Sequence, residues 1–95
     1  IVDRNRIQQT GFTEDIMKLE PLEERWKGFG WNTLRVDGHK ISEIIKALDV
    51  RSDGPKVIIA DTVKGKGVSF MENKHEWHGV APNEEQYRKA MEELS

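Results

Sequence analysis

Apolar positions along this chain switch between two spacings, and the switches mark its elements. Ile1 and Val2, followed by Asp3, open as a strand-like apolar pair, and a polar loop containing Gly11 follows. Thr13, Glu14 and Asp15 then read as the acidic, capped start of a short helical turn, which is expected to bury Ile16, Met17 and Leu19. After Pro21, the residues Leu22, Trp26 and Phe29 fall on one helical face, with Gly30 where a left-handed C-cap would end the helix. The stretch from Trp31 to Val36 alternates in the manner of a strand, and Asp37, Gly38 and His39 supply a turn. Ile41, Ile44, Ile45 and Leu48 mark a second amphipathic helix.

Asp53-Gly54-Pro55 interrupts the chain before Val57-Ile58-Ile59-Ala60, a continuous apolar run of the kind found in a strand covered on both faces of a parallel sheet. A last helix is predicted to start at Asn83, with Gln86 completing a capping box and Tyr87, Ala90, Met91 and Leu94 as its apolar face. The order is β-α-β-α-β-α, an α/β fold with a parallel sheet and flanking helices, read as a single domain over residues 1–95. In such a sheet, ligands bind outside the carboxyl ends of the strands. The loops on that edge begin at Arg4, Asp37 and Asp61.

Composition narrows the function classes. The chain has 95 residues, 36% hydrophobic and 34% charged, with a formal charge of −2. This balance is that of a globular protein, no apolar run approaches membrane-spanning length, and no basic excess marks a nucleic-acid binder. It contains no cysteine, so disulfides and thiolate metal sites are excluded. A cytoplasmic location is the expectation. The apolar start at Ile1 further suggests the carboxy-terminal part of a longer domain, whose first strand expects neighbours.

Chemistry is concentrated in a few places. Lys64-Gly65-Lys66-Gly67 follows the apolar strand. Its glycines let backbone amides approach an anion and its lysines add positive charge, although a solvated turn has the same composition. It is not a Walker loop, since no helix begins at a lysine with Ser or Thr beside it. Asn5, just past the first strand, offers a hard neutral oxygen suited to Mg²⁺, and it is equally a common turn former. His78 can donate a hydrogen bond or move a proton, or serve structurally in its loop. His75 and His78 lack a clear third partner for zinc, while Asp37 and His39 read as turn and helix-cap residues. Trp26, Phe29 and Trp31 suit a core or an interface, and Trp77 suits packing beneath a loop.

Taken together, Asp3-Arg4-Asn5-Arg6-Ile7-Gln8, the stretch Asp61 to Met71 and Trp77-His78-Gly79-Val80-Ala81-Pro82 resemble the thiamine-diphosphate enzymes of the transketolase group, most of all the amino-terminal subunit of two-piece transketolases. Asp3-Arg4-Asn5 looks like the closing half of the motif that begins Gly-Asp-Gly. The Asp-Gly pairs Asp37-Gly38 and Asp53-Gly54 come after Asn5, so the opening half of that motif is not supplied upstream of it. Residues 77–82 resemble the family's His-Gly-Ala-Pro stretch, with Val80 as an insertion-like variation.

The resemblance implies a site of thiamine diphosphate and Mg²⁺ (or Ca²⁺). In it Asn5 is a side-chain metal ligand, Ile7 offers its carbonyl to the same metal, Lys64 and Gly65 face the diphosphate, and His78 approaches both cofactor and sugar as the catalytic residue. It implies transfer of a two-carbon ketol unit from a ketose phosphate to an aldose, within the pentose phosphate class of carbohydrate metabolism, at a dimer interface. A carboxy-terminal transketolase subunit carrying the pyrimidine domain would complete that site. Two alternatives stand beside this reading: an enzyme similar to deoxyxylulose-phosphate synthase, and a non-catalytic scaffold or interaction module.

Overall fold

A computed structural model describes all of residues 1–95. The elements are β1 (Val2–Arg4), β2 (Ile7–Gln8), β3 (Gly11–Phe12), α1 (Thr13–Ile16), α2 (Leu22–Gly28), β4 (Asn32–Asp37), α3 (Ile41–Asp49), β5 (Lys56–Asp61), a 3₁₀ turn (His75–His78) and α4 (Glu84–Leu94). They fall into two compact units. The first holds Ile1–Asn5 with Lys18–Thr62, and the second holds Arg6–Met17 with Val63–Ser95. No helix is long and apolar enough to cross a membrane.

The first unit is the α/β part, a parallel three-stranded sheet in the order β1-β5-β4, with α2 packed on β4 and α3 on β4 and β5. The continuous apolar run forms the central strand: Val57, Ile58, Ile59 and Ala60 are all buried, Ile59 to 1% exposure, as a strand without a solvent face requires. Alternation along β4 matches its edge position, where Leu34 and Val36 are half-buried and Arg35 is exposed.

Helix α2 ends as its sequence signals. Gly30 has φ +82, its amide donates to the Lys27 carbonyl at 2.9 Å and the Trp31 amide donates to the Trp26 carbonyl at 3.2 Å. These two bonds make a Schellman motif, and its accompanying apolar contact is the edge-to-face pair of Trp26 and Trp31, 4.9 Å between ring centres. Trp31 therefore belongs to the cap, and β4 starts one residue later than its alternation suggests. Phe29, expected on the covered face, is 81% exposed: it is the cap residue, outside the helical turn that orients Leu22 and Trp26.

Helix α3 is closed differently. The Lys56 ammonium, at the start of β5, donates to the carbonyls of Ala47, Leu48 and Val50 at 3.0, 2.7 and 2.7 Å. It satisfies orphan carbonyls and places a cation at the negative end of the helix dipole. Of the α3 stripe, Ile44 is half-buried while Ile41, Ile45 and Leu48 are exposed; the buried position is Ala47. A sheet of three strands covers a narrower part of the helix than the full apolar stripe.

In the second unit, β2 and β3 form an antiparallel hairpin with Ile7 opposite Phe12 and Gln8 opposite Gly11, inside what reads as a polar loop. Each strand is two residues long and carries no alternation to detect. Ile16, Met17 and Leu19 are exposed rather than buried. With four residues, α1 is too short to present a face, and Leu19 lies beyond its end. The capping box of α4 is present: Asn83 Oδ1 accepts from the Gln86 amide and Gln86 Oε1 from the Asn83 amide, both at 2.9 Å, an arrangement that contributes about 1 kcal/mol. Its predicted apolar face is largely open, with Ala90 half-buried and Tyr87, Met91 and Leu94 exposed.

Candidate functional site

The three parallel strands end level. Arg4 and Asp37 each stand in register with Asp61, so the carboxyl edge of the sheet is set by three charged residues. Beyond it the Gly38 amide donates to the Asp61 carbonyl at 2.7 Å and the Thr62 amide to the Arg4 carbonyl at 3.2 Å, extending the backbone stitching one step past the strands. Gly38 is needed for this approach: a Cβ there would stand 2.9 Å from the Asp61 carbonyl oxygen.

Charge on this edge is organised around Asp61. Its carboxylate accepts from Arg4 Nη1 at 2.7 Å and from Arg35 Nε and Nη2 at 2.6 and 3.2 Å, and Arg4 Nε reaches Glu20 Oε1 at 2.6 Å. Partial burial pushes the Asp61 carboxyl up, but hydrogen bonds from Arg35 and Arg4 and their positive charge outweigh it and hold the group below its ordinary value. Glu20 behaves alike: desolvation raises it, while the Leu22 amide and the Arg4 guanidinium bring it down. The network was not anticipated from the sequence. Its signal was there in opposite charges at the ends of Val2–Arg4 and of the apolar strand, which pair once the strands are neighbours.

A pH dependence follows from these two carboxylates. Their folded-state values are depressed, so their contribution to stability is complete above the ordinary carboxylate range and is lost as pH falls through the lowered values. Melting temperature is expected to be level near neutrality and to decline below about pH 5, and Asp61→Asn is expected to flatten that decline. Thermal melts of both proteins from neutral to acid pH measure this.

Asp37 accepts the His39 amide on Oδ1 at 3.0 Å, closing a turn, and this contact is the chief reason its carboxyl lies below its ordinary value. It does not cap α3. The cap position is Lys40, without a side-chain bond, and Glu43 of the first turn reaches back to the Asp37 amide at 2.9 Å.

Asn5 lies in the first unit, half-buried directly after β1, while Ile7, Lys64, Gly65 and His78 lie in the second. Between Asn5 and Ile7 the backbone turns sharply, with Arg6 at φ 65, a conformation costly for a residue with a side chain and common near functional sites. Lys64 and Gly65 open a turn in which the Val68 amide donates to the Gly65 carbonyl at 3.1 Å and the Asn73 amide to the Lys64 carbonyl at 3.0 Å. Gly65 has φ +71, and a Cβ on it would meet the Met71 backbone at 2.8 Å. Here the glycine serves the folding of the loop itself. The Gly67 amide is held by the Glu72 carboxylate at 3.0 Å, and Lys66 approaches the same group at 3.8 Å, so the loop already binds one anion of its own.

His78, itself exposed, ends the 3₁₀ turn. That turn is anchored by Trp77, whose indole N–H donates to the Phe70 carbonyl at 3.1 Å and whose ring packs against Phe70 with centres 5.5 Å apart; the Lys89 ammonium stands 5.5 Å from the Phe70 ring centre. The tryptophan thus packs under the loop as its position suggests, leaving the imidazole accessible.

Taken singly, the Asn5 amide and the Ile7 carbonyl are hard neutral oxygens of the kind that suits Mg²⁺ or Ca²⁺. The chain brings together no group of three His, Cys, Asp or Glu side chains able to hold a metal. The carboxylates of the sheet edge are engaged as well, Asp3 with Thr62, and Glu20 and Asp61 with arginines. A cation held through neutral oxygens of this kind would take its anionic ligands from elsewhere, such as a diphosphate.

Comparison with known proteins adds the family. The description "transketolase, thiamine diphosphate binding domain" matches residues 1–95. An apulose-4-phosphate transketolase subunit of Phocaeicola vulgatus is 43% identical over 98 residues, covering 100% of this chain and 35% of that protein. A 6-deoxy-6-sulfo-D-fructose transketolase subunit of Clostridium sp. is 42% identical over 95 residues, 97% of this chain and 34% of that protein. Human transketolase is 37% identical over 79 residues, 83% of this chain and 13% of its own length. The chain spans about a third of the length of the subunit relatives.

Proposed function

Since the chain belongs to the transketolase family, in its thiamine-diphosphate-binding domain, we propose that it works as part of the amino-terminal subunit of a two-piece transketolase, moving a two-carbon ketol unit from a ketose phosphate to an aldose. The observation that carries the reading is the level ending of three parallel strands at Arg4, Asp37 and Asp61, with Asn5 immediately beyond the first of them, at the edge where α/β sheets bind ligands.

When bound, thiamine diphosphate supplies the electron sink for the transfer. Asn5 and Ile7 would each offer an oxygen to Mg²⁺ or Ca²⁺, and Lys64 and the backbone at Gly65 would face the diphosphate. His78, exposed on its anchored turn, donates a hydrogen bond or moves a proton at the imidazole as the sugar reacts. A second subunit carries the pyrimidine domain, in keeping with relatives whose names make them one subunit of a transketolase.

The test is a chimera in which these 95 residues replace the matching stretch of the Phocaeicola vulgatus subunit, assayed with that enzyme's partner. Ketol transfer dependent on thiamine diphosphate and Mg²⁺ is expected. A chimera that folds and assembles but transfers nothing would reject the proposal.

A further inference from the structure

We propose that Asp61 is a positioning residue: by clamping Arg4 it fixes the carboxyl end of β1 and so aims Asn5 at the cofactor metal, an inference that rests on the role given to Asn5 above. Arg4 is the residue before Asn5, and its side chain is only 11% exposed. It is held at three points: Nη1 on Asp61 at 2.7 Å, Nε on Glu20 at 2.6 Å, and its carbonyl on the Thr62 amide at 3.2 Å. The Thr62 hydroxyl in turn bonds Asp3 on the other side of Arg4. These contacts tie the end of β1 to the end of β5 and to Glu20.

Two features argue for positioning rather than for ligand binding at this cluster. Arg4 and Arg35 are matched in charge by Asp61 and Glu20, which leaves no net charge to draw a phosphate. Both Asp61 oxygens are occupied by guanidinium groups, which leaves the carboxylate poorly placed to ligate a cation. What remains is geometric: a charge-assisted arginine clamp at a strand end restricts the orientation of the residue that follows.

The experiment has two arms. In the 95-residue protein, Asp61→Asn is expected to speed hydrogen exchange at the Thr62 amide about tenfold, with α4 amides unchanged. Unchanged exchange at Thr62 would overturn the clamp. In the chimeric subunit, Asp61→Asn is expected to weaken Mg²⁺-dependent thiamine diphosphate binding by roughly 10–100-fold, measured calorimetrically, with kcat at saturating cofactor retained and affinity largely recovered in Asp61→Glu. Should Asp61→Asn fail to fold, Glu20→Gln loosens the same guanidinium from its other side and carries the same expectations. A lower melting temperature with undiminished cofactor affinity would overturn the positioning role and leave a structural one. A parent chimera with no affinity for thiamine diphosphate would overturn the functional reading, and the cofactor half of this inference with it, while the exchange arm still decides the clamp.

Discussion

Replacing His78 with alanine in the chimeric subunit is expected to lower turnover of ketose donors by about 10²–10⁴-fold, the usual contribution of a positioned acid–base group, while melting temperature stays within the small range typical of surface substitutions. The separation of the two effects comes from the turn that carries the residue. Trp77 provides the anchoring, through its ring contact with Phe70 and its indole bond to the Phe70 carbonyl, and the His78 side chain is exposed. Steady-state kinetics alongside thermal melts check it. Wild-type turnover in the variant would remove His78 from the mechanism, and an equal fall in stability would make its role structural.

The largest effect on stability is expected at Ile59. It is 1% exposed at the middle of the central strand, in register with Val2 on one side and Arg35 on the other. Ile59→Ala removes buried apolar surface from a face of the sheet and leaves a cavity there, at a cost of about 2–5 kcal/mol. A chain of this size has a total stability of roughly 5–14 kcal/mol, so the loss is a large fraction of it. Each kcal/mol shifts the midpoint by about 4–8 °C, so calorimetry should show melting lowered by about eight degrees or more. A shift of only a few degrees would mean that the strand tolerates repacking.

The elements that could be read from the sequence are those whose signals are local. Gly30 at the end of α2 and the Asn83–Gln86 box at the start of α4 occupy the cap positions that their residue types favour. The apolar run at Val57–Ala60 has the pattern of a doubly covered strand and forms one, and with it the carboxyl edge at Arg4, Asp37 and Asp61 is legible. What could not be read depends on partners distant in the chain. The Lys56 bonds to the end of α3 and the Asp61 bonds to Arg4 and Arg35 exist only after the strands are neighbours. Exposure of Ile41, Ile45 and Leu48 was invisible for the same reason, since periodicity shows which face is apolar without showing how much sheet lies opposite. At the candidate site, residue types suggested the chemistry of Asn5 and His78, but not that Gly65 would be committed to its own loop or the Gly67 amide to Glu72.

The strand order has a consequence for how the chain acquires its structure. Strands β1 and β4 never pair with each other; each pairs only with β5, which is the last of the three to leave a ribosome. Within these residues neither earlier strand pairs with the other, and the pairing of Arg4 with Asp61 closes a loop of more than half of them. Helices α2 and α3 can form in the meantime, since their turns are local. Pairing among these three strands therefore waits on β5, and non-local pairing of this kind is the slow part of forming them.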